Sequence, residues 1–379
     1  MSGPAGAGGG EAQVARGERL EGELEALELD GLLVDSPYDV RYLSAFTGSH
    51  ALLLMVGGRA RERLGPHRFL TDFRYETQAA AQVPEVFARE IHTGELLEEL
   101  AEALAEQGGG RLGFEEASVS VRDHRRLGEM LGAGWELVPC AGVVRRLRAV
   151  KEAGEVARIR AASELADEAL RGILEGGLVG RAEHELAIEL ELRMRRLGAQ
   201  SPSFPSIVAA GAHGALPHAE PRMREIPRDV LVTIDWGALL DGYCSDCTRT
   251  YATGEGISGL AREVHALVLA AQRRGLEALR AGPTGREVDA AAREVIEQAG
   301  HGEHFGHGLG HGVGLEIHEG PRLSRTAPEE PLEAGNVVTV EPGVYVPGEL
   351  GVRIEELAVV TPTGCEVLTT LARELEVVS

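Results

Sequence analysis

Short apolar runs alternate with helical patterns over the first 150 residues of the chain. The short runs rich in Leu and Val predict strands, whereas residues 95–106 repeat apolar positions at helical spacing and predict a helix. The predicted strands are residues 31–34, 51–56, 68–70 and 112–114. Because strands that alternate with helices build sheets with parallel neighbours, the pattern predicts a small α/β domain with a partly parallel sheet.

Longer amphipathic helices characterise the rest of the chain. Apolar side chains recur at i, i+3, i+4 and i+7 across residues 156–173, and a second such stripe covers residues 186–197. A third helix is predicted after Ser258 and a fourth after Thr284, which has Glu287 at the capping-box spacing. The strands predicted between them are residues 230–234, 243–251, 337–340 and 352–360. We therefore predict an α+β domain, an antiparallel sheet flanked by helices.

A basic junction divides the two parts. Arg145, Arg146 and Arg148 are followed by Lys151, the one lysine among 38 basic residues. The small residues at the N-terminus lack the basic and apolar segments of a secretory signal. The predicted organisation is a flexible tail over residues 1–14, the α/β domain over residues 15–148 and the α+β domain over residues 149–379.

Composition limits the classes of function. The chain has 379 residues, and a hydrophobic share of 43% excludes wholesale disorder. With 60 acidic residues its net charge is −22, so it repels phosphate backbones and we expect no nucleic-acid binding. No apolar run approaches the ~20 residues of a membrane helix, and its 4 cysteines do not make a disulfide framework. We expect a soluble, cytoplasmic protein without a membrane partner.

Five residues of metal-ligand type stand at strand ends or in a glycine-rich loop. They are Asp235, Asp246, His311, Glu341 and Glu355. Asp235 ends an apolar run, and Asp246 follows the turn at Asp241 and Gly242, so a hairpin would bring both carboxylates to one end of a sheet. Because four converging carboxylates would repel one another and take up protons unless cations were present, the set predicts a metal site.

Charge and ligand chemistry define the predicted site further. Two divalent ions would balance the four carboxylates, and oxygen-rich ligation with one imidazole favours Mn²⁺ or a similar ion. Two ions can share a water and lower its pKa, which gives a hydroxide for hydrolysis. Each residue alone has an ordinary alternative, since an aspartate after a strand is a common turn residue. Cys244 and Cys247, which flank Asp246, are interpreted as small strand residues rather than a redox or zinc pair.

The segments that carry these residues resemble a known family. They are Asp235-Trp236-Gly237, residues 307–319 (HGLGHGVGLEIHE), Glu341-Pro342-Gly343 and Arg353-Ile354-Glu355. They are similar to the motifs of the pita-bread metallopeptidases, in the Xaa-Pro branch of prolidases and aminopeptidases P. Residues 151–379 resemble the pita-bread catalytic domain. The first 150 residues resemble the creatinase-type N-terminal domain more weakly, mainly through residues 42–48.

The resemblance implies a role for each matching position. Asp235 would hold the first metal, Asp246 and Glu355 would bridge both, and His311 and Glu341 would complete the second, with Glu341 also moving protons. His218 matches the family histidine near the scissile peptide, and His307 and His318 match histidines that bind the substrate and stabilise the tetrahedral intermediate. Arg353 is placed either to bind a carboxylate or to orient the neighbouring acids. For Tyr345, packing with a hydroxyl partner is an equal alternative to a role in the site.

The implied function is hydrolysis of the Xaa-Pro bond at the N-terminus of dipeptides or short peptides, by a hydroxide that two divalent metals activate. The ligand set favours Mn²⁺, with Co²⁺ or Zn²⁺ as alternatives, and the resemblance implies a homodimer. A dipeptidase needs a cation for the proline carboxylate, an aminopeptidase needs room beyond the proline, and the sequence leaves both open. The further alternatives are an aminopeptidase of other specificity, a small amide hydrolase of this fold, and a catalytically silent binding protein.

Overall fold

The computed structural model describes residues 9–379. They form two compact units, one ending at Arg148 and the other beginning at Ala149. Residues 1–8 of the predicted tail lie outside the described residues. Residues 9–14 were predicted to continue the tail but begin helix α1 (Gly9–Ala26), so this part of the prediction is wrong. The good helix formers after Gly10 outweigh the two glycines at its start, and Leu20 and Leu24 are fully buried.

The first unit contains one six-stranded sheet with helices between its strands. Its elements are α1, β1 (Gly31–Val34), α2 (Pro37–Ser44), β2 (Leu52–Val56), α3 (Arg61–Leu64), β3 (His67–Asp72), α4 (Glu76–Gln82), β4 (Phe87–His92), α5 (Leu96–Ala105), β5 (Gly110–Glu115), α6 (Val121–Leu131), β6 (Trp135–Cys140) and α7 (Val143–Ala149).

The strand order of this sheet is β4-β3-β2-β1-β5-β6. The pairs β1–β5, β5–β6 and β3–β4 are parallel, whereas β2 is antiparallel to both of its neighbours. The predicted α/β class with a partly parallel sheet is therefore confirmed. The sequence pattern missed β4 and β6, which form the two edges of the sheet. Edge strands are exposed and alternate with polar residues, so they lack the apolar run that marks a buried strand.

The second unit is built from longer helices and short strands. Its elements are α8 (Ala153–Leu174), α9 (Glu183–Leu197), β7 (Ser201–Pro202), β8 (Ile207–Ala210), β9 (Leu231–Trp236), β10 (Ala238–Leu240), β11 (Tyr243–Cys244), β12 (Cys247–Ala252), α10 (Gly259–Ala278), α11 (Gly285–Gln298), β13 (Gly310–Gly312), β14 (Glu319–Leu323), β15 (Val337–Val340), β16 (Gly343–Val346), β17 (Leu350–Arg353), β18 (Glu356–Val360) and β19 (Cys365–Val367).

The strand ladders of the second unit are antiparallel, as predicted. Helices α10 and α11 begin where expected, with Ser258 as a side-chain cap and with the capping box of Thr284 and Glu287 formed. One apolar cluster packs α10 and α11 on the sheets, and a second packs α8 and α9 on them. No helix within residues 9–379 is long and apolar enough to span a bilayer.

Two predicted strands are interrupted, and each interruption falls at an acidic residue. The strand predicted over residues 243–251 breaks into β11 and β12 around Asp246, and the one over residues 352–360 breaks into β17 and β18 at Glu355. In each case the chain changes sheets: β11 pairs with β10 but β12 with β9, and β17 pairs with β16 but β18 with β15. Both carboxylates therefore lie at junctions between sheets.

Candidate active site

All nine residues predicted for the site line one cavity of about 650 Å³ in the second unit. They are His218, Asp235, Asp246, His307, His311, His318, Glu341, Arg353 and Glu355. Other parts of the wall are apolar, including Phe204, Pro205 and Ile207. Residues from separate stretches of sequence thus meet in one concave site.

Three carboxylates form the centre of the cavity. One oxygen from each of Asp235, Asp246 and Glu355 lies within 4.8 Å of the other two. Asp235 is held in the β9 ladder opposite Thr248 of β12, and the backbone N–H of Glu355 donates to the Thr248 carbonyl at 3.0 Å. Pairing of β9 with β12 and of the 355 segment with β12 therefore fixes the cluster.

Burial and mutual repulsion disfavour the charged forms of the acids in this cluster. Burial raises the pKa of Asp246 well above its usual value, and the neighbouring carboxylates, Glu355 first, raise it further. Burial followed by repulsion from Glu341 and Asp235 does the same to the pKa of Glu355. Burial also raises the pKa of Glu341. A cation in the cluster would reverse this balance, because it stabilises the ionised forms.

His311 presents an unprotonated ring nitrogen to the carboxylates. Its Nδ1 lies 3.1 Å from the Gly312 carbonyl, which can only accept, so Nδ1 carries the proton. Its Nε2 lies 3.3 Å from Glu341 Oε1 and 3.5 Å from Asp246 Oδ2. Burial lowers the pKa of His311 and favours the neutral ring. The Nε2 lone pair therefore faces two acceptors, an arrangement that a cation between them would stabilise.

Unpartnered oxygens support the same interpretation. Asp235 Oδ1 and Glu355 Oε1 are buried, and neither has a hydrogen-bond partner among residues 9–379. Buried carboxylate oxygens without partners are costly, and carboxylate oxygens with one imidazole suit divalent metals. The residues present therefore fit a divalent metal centre.

Arg353 connects the acids to the histidines. Its guanidinium donates to Asp235 Oδ2 at 2.8 Å, to Thr248 Oγ1 at 3.0 Å, to Tyr345 Oη at 2.8 Å and to the Pro217 carbonyl at 3.2 Å. Four of its five N–H groups are thus engaged within the protein. Of the two roles predicted for Arg353, orientation of the neighbouring acids fits this geometry better than binding of a substrate carboxylate.

A directed chain of hydrogen bonds continues from Arg353 to His307. Burial raises the pKa of the Tyr345 phenol, so the hydroxyl keeps its proton and accepts from Arg353. Its own hydrogen can then be donated to His307 Nε2 at 3.0 Å, since His307 Nδ1 donates to the Gly308 carbonyl at 2.8 Å. Burial lowers the pKa of His307, consistent with the neutral ring. Tyr345 is thus part of the site network as well as of the packing.

The other two histidines stand at the cavity wall. The rings of His318 and His311 meet edge to face with centroids 4.3 Å apart. Burial lowers the pKa of His318, and the nearby His311 and His218 lower it further. His218 follows Pro217, whose carbonyl Arg353 binds.

Three residues of the site were missed by sequence reasoning. Thr248 Oγ1 donates to Glu355 Oε2 at 2.6 Å, and Thr339 Oγ1 donates to Glu341 Oε1 at 3.0 Å while accepting from the His311 N–H at 3.0 Å. Each threonine lies two positions before or after a predicted acid, so the period of a strand places it on the same face. Arg322, an exposed guanidinium in the cavity wall, carried no comparable signal.

The chain is similar to peptidases of known family. Residues 157–362 match metallopeptidase family M24, and residues 16–150 match the creatinase/prolidase N-terminal domain. The uncharacterized peptidase YqhT of Bacillus subtilis is 40% identical over 94% of this chain and 98% of its own length.

Two solved structures extend the comparison. The Xaa-Pro dipeptidase from Bacillus anthracis aligns with a TM-score of 0.90 and 40% identity, over 96% of this chain and 99% of that one. The X-Pro aminopeptidase from Thermotoga maritima aligns with a TM-score of 0.85 and 37% identity, over 96% of this chain and 100% of that one.

Proposed function

This chain belongs to metallopeptidase family M24, and we propose that it hydrolyses the Xaa-Pro bond at the N-terminus of dipeptides or short peptides. The observation that carries the proposal is the cluster of Asp235, Asp246 and Glu355, with His311 and Glu341 beside it, in a cavity large enough for a small peptide. The names of the two similar structures give the substrate class.

The five clustered residues, with Asp246 and Glu355 among them, would hold two divalent metals. Four carboxylates and one neutral imidazole favour Mn²⁺, with Co²⁺ and Zn²⁺ as alternatives. Two bound cations would lower the pKa of a coordinated water and polarise the scissile carbonyl.

The side chains of the protein supply the proton transfers and the orientation. The nitrogen of an Xaa-Pro amide carries no hydrogen, so it must receive a proton as it leaves. Glu341 is suited to carry that proton, because it lines the cavity while Thr339 holds one of its oxygens. His318 and His218, at the wall, would donate to the oxygen of the tetrahedral intermediate.

The position of Arg322 favours dipeptides over longer peptides as the substrates. It lines the cavity and is exposed, and within residues 9–379 it has no carboxylate partner. Arg353, in contrast, is engaged with Asp235 and Tyr345. We therefore assign the proline carboxylate of a dipeptide to Arg322, since a guanidinium binds a carboxylate through two parallel hydrogen bonds.

A substrate panel tests the proposal. Ala-Pro, Ala-Pro amide, Ala-Pro-Ala and Met-Ala-Ser are assayed with Mn²⁺, Co²⁺ and Zn²⁺. We expect metal-dependent release of alanine, fastest from Ala-Pro, and an Arg322→Gln variant that loses the preference for Ala-Pro over its amide. Asp246→Asn should abolish turnover, while the exposed Glu330→Gln should not. Full activity after complete metal removal, or cleavage of Met-Ala-Ser alone, would refute the proposal.

Two further parts of the proposal come from the family resemblance and from the composition, respectively. We propose that the protein is a homodimer, which light scattering of the purified protein tests, and that it acts in the cytoplasm, which cell fractionation tests. A monomer at all concentrations, or recovery outside the cytoplasmic fraction, would contradict the respective part.

A further inference from the structure

A buried ion pair lies on helix α11, outside the metal cluster. Arg293 donates from Nε to Asp289 Oδ2 and from Nη2 to Asp289 Oδ1, both at 2.8 Å, and the side chains are 6% and 1% exposed. A buried ion pair is weak evidence for stability, because the desolvation of both charges offsets their attraction. Its geometry therefore needs another explanation, and the remaining donors and acceptors of the pair provide one.

The pair binds the loop that follows α11 through backbone groups of every second residue, at positions 305, 307 and 309. Arg293 Nη1 donates to the Phe305 carbonyl at 2.8 Å, and Nη2 donates to the His307 carbonyl at 2.7 Å. Asp289 Oδ1 accepts from the Leu309 N–H at 2.9 Å. The guanidinium also stacks on the Phe305 ring, with its carbon 4.0 Å from the ring centroid. A single ion pair thus fixes three backbone positions of residues 305–309.

This loop carries His307 of the active site network and supports a second residue of it, Glu341. His307 lies between two of the anchored positions, and its ring meets the Phe305 ring edge to face at 5.1 Å between centroids. Its Nε2 reaches Tyr345 at 3.0 Å. The Leu309 carbonyl accepts from the Glu341 N–H at 2.8 Å, so the anchored loop also supports the strand end that bears Glu341.

We infer that the Asp289–Arg293 pair is a positioning device for His307, which it holds in line with Tyr345 at the cavity wall. The importance of this position for turnover rests on the proposed function. A lysine at position 293 would keep the charge but could not span Asp289 and two carbonyls, because its three donors share one nitrogen. An asparagine at position 289 would keep an acceptor for Leu309 and remove the charge.

Kinetics of two variants test the inference. With Ala-Pro and Mn²⁺, we expect Arg293→Lys to lower kcat/KM by about 10- to 100-fold, the loss that a misplacement of about 1 Å produces. Asp289→Asn should cause a smaller loss in the same direction. The matched control is Arg148→Lys in the first unit. Arg148 forms an equally buried pair with Asp39, at 2.7 Å and with side chains that are 3% and 1% exposed. The control variant should lower the melting temperature similarly and leave kcat/KM within twofold, all assays being run well below each melting temperature.

A double-mutant cycle distinguishes positioning from a general structural role. If the pair acts through His307, Arg293→Lys should lower kcat/KM by less than threefold in a His307→Ala background. Equal losses in both backgrounds would overturn the inference, as would an Arg293→Lys variant with reduced melting temperature and unchanged kcat/KM.

A spectroscopic readout keeps the test independent of activity. The His307 side-chain resonances, assigned by their absence in His307→Ala, should shift in Arg293→Lys and not in Arg148→Lys. A wild-type protein that cleaves no Xaa-Pro substrate would refute the proposed function while the resonances still tested the positioning. Unchanged His307 resonances in Arg293→Lys would refute the positioning alone.

Discussion

The hydroxyl of Thr248 allows a sharp test of how the protein orients its carboxylates. Thr248 is fully buried, accepts from Arg353 Nε at 3.0 Å and donates to Glu355 Oε2 at 2.6 Å. Thr248→Val keeps the shape of the side chain and removes both hydrogen bonds. Thr248→Ser keeps the hydroxyl and removes only a methyl group, so it is the matched control.

The expected magnitude follows from these contacts. Both lost bonds involve a charged partner, and such bonds contribute about 1.5–3 kcal/mol each. Part of this contribution is lost equally from the metal-free and the metal-bound protein, because Arg353 and Glu355 are buried in both. That part does not change the affinity for metal. Substitutions of residues that orient metal ligands typically weaken metal binding by about 10- to 100-fold, which corresponds to about 1.4–2.8 kcal/mol. We expect Thr248→Val to weaken Mn²⁺ binding by this factor.

Isothermal titration of the metal-free protein with Mn²⁺ measures the effect directly, and thermal melting without metal reports the structural cost. Thr248→Val should raise the Kd at least 10-fold, whereas Thr248→Ser should stay within about threefold of the wild type. A Thr248→Val protein that binds Mn²⁺ with the wild-type Kd would show that the hydroxyl does not orient Glu355.

Three further predictions concern other buried groups. Lys151→Met removes the ammonium group that lies 2.7 Å from the buried Glu319 carboxylate. It should lower the free energy of unfolding, measured in urea, by about 3–5 kcal/mol, which is more than Lys151→Arg should. A loss below about 1 kcal/mol would contradict this. Burial lowers the pKa of His265 to about 4, so below pH 6.5 the unfolded chain binds the proton more tightly and stability falls as pH decreases toward 4. His265→Gln should therefore lose about 2–3 kcal/mol less than the wild type between pH 7 and pH 4.5, and equal losses in urea titrations would refute the assignment. Tyr345→Phe removes the hydroxyl that links Arg353 to His307. It should lower kcat/KM for Ala-Pro about 10-fold, which corresponds to about 1.4 kcal/mol of activation free energy. Unchanged kinetics would show that the hydroxyl plays no part in the reaction.

The clustering of these acids with His311 could be predicted because several residues of metal-ligand type stand at strand ends in one chain, although each alone is ordinary there. Asp235 and Glu341 each follow an apolar run, and the sequence shows where those runs stop. The residues that orient the ligands could not be predicted in the same way. Thr248 reaches Glu355 across 107 positions of sequence, and a threonine in a strand is ordinary until its partner is known.

The same limit applies to the fold. Buried strands such as β1 and β15 were predicted at their observed bounds, because they are short, almost wholly apolar runs that are buried on both faces. The breaks at Asp246 and Glu355 were missed, because a change of sheet leaves the local apolar pattern intact. The Asp289–Arg293 pair was also missed, since an Asp and an Arg four residues apart on a helix usually form a solvent-exposed pair.

The contacts of the carboxylates show how the protein divides the work between itself and a cation. Asp235 Oδ2 accepts from Arg353, Glu355 Oε2 from Thr248 and Glu341 Oε1 from Thr339, so three of the four carboxylates have one oxygen held by the protein. The second oxygens of Asp235 and Glu355 have no partner in residues 9–379. One guanidinium cannot balance four carboxylates, and the threonines add dipoles rather than charge. The protein therefore fixes the direction of the ligands and leaves the charge balance to cations, which is why the loss of one hydroxyl should weaken metal binding as well as the fold.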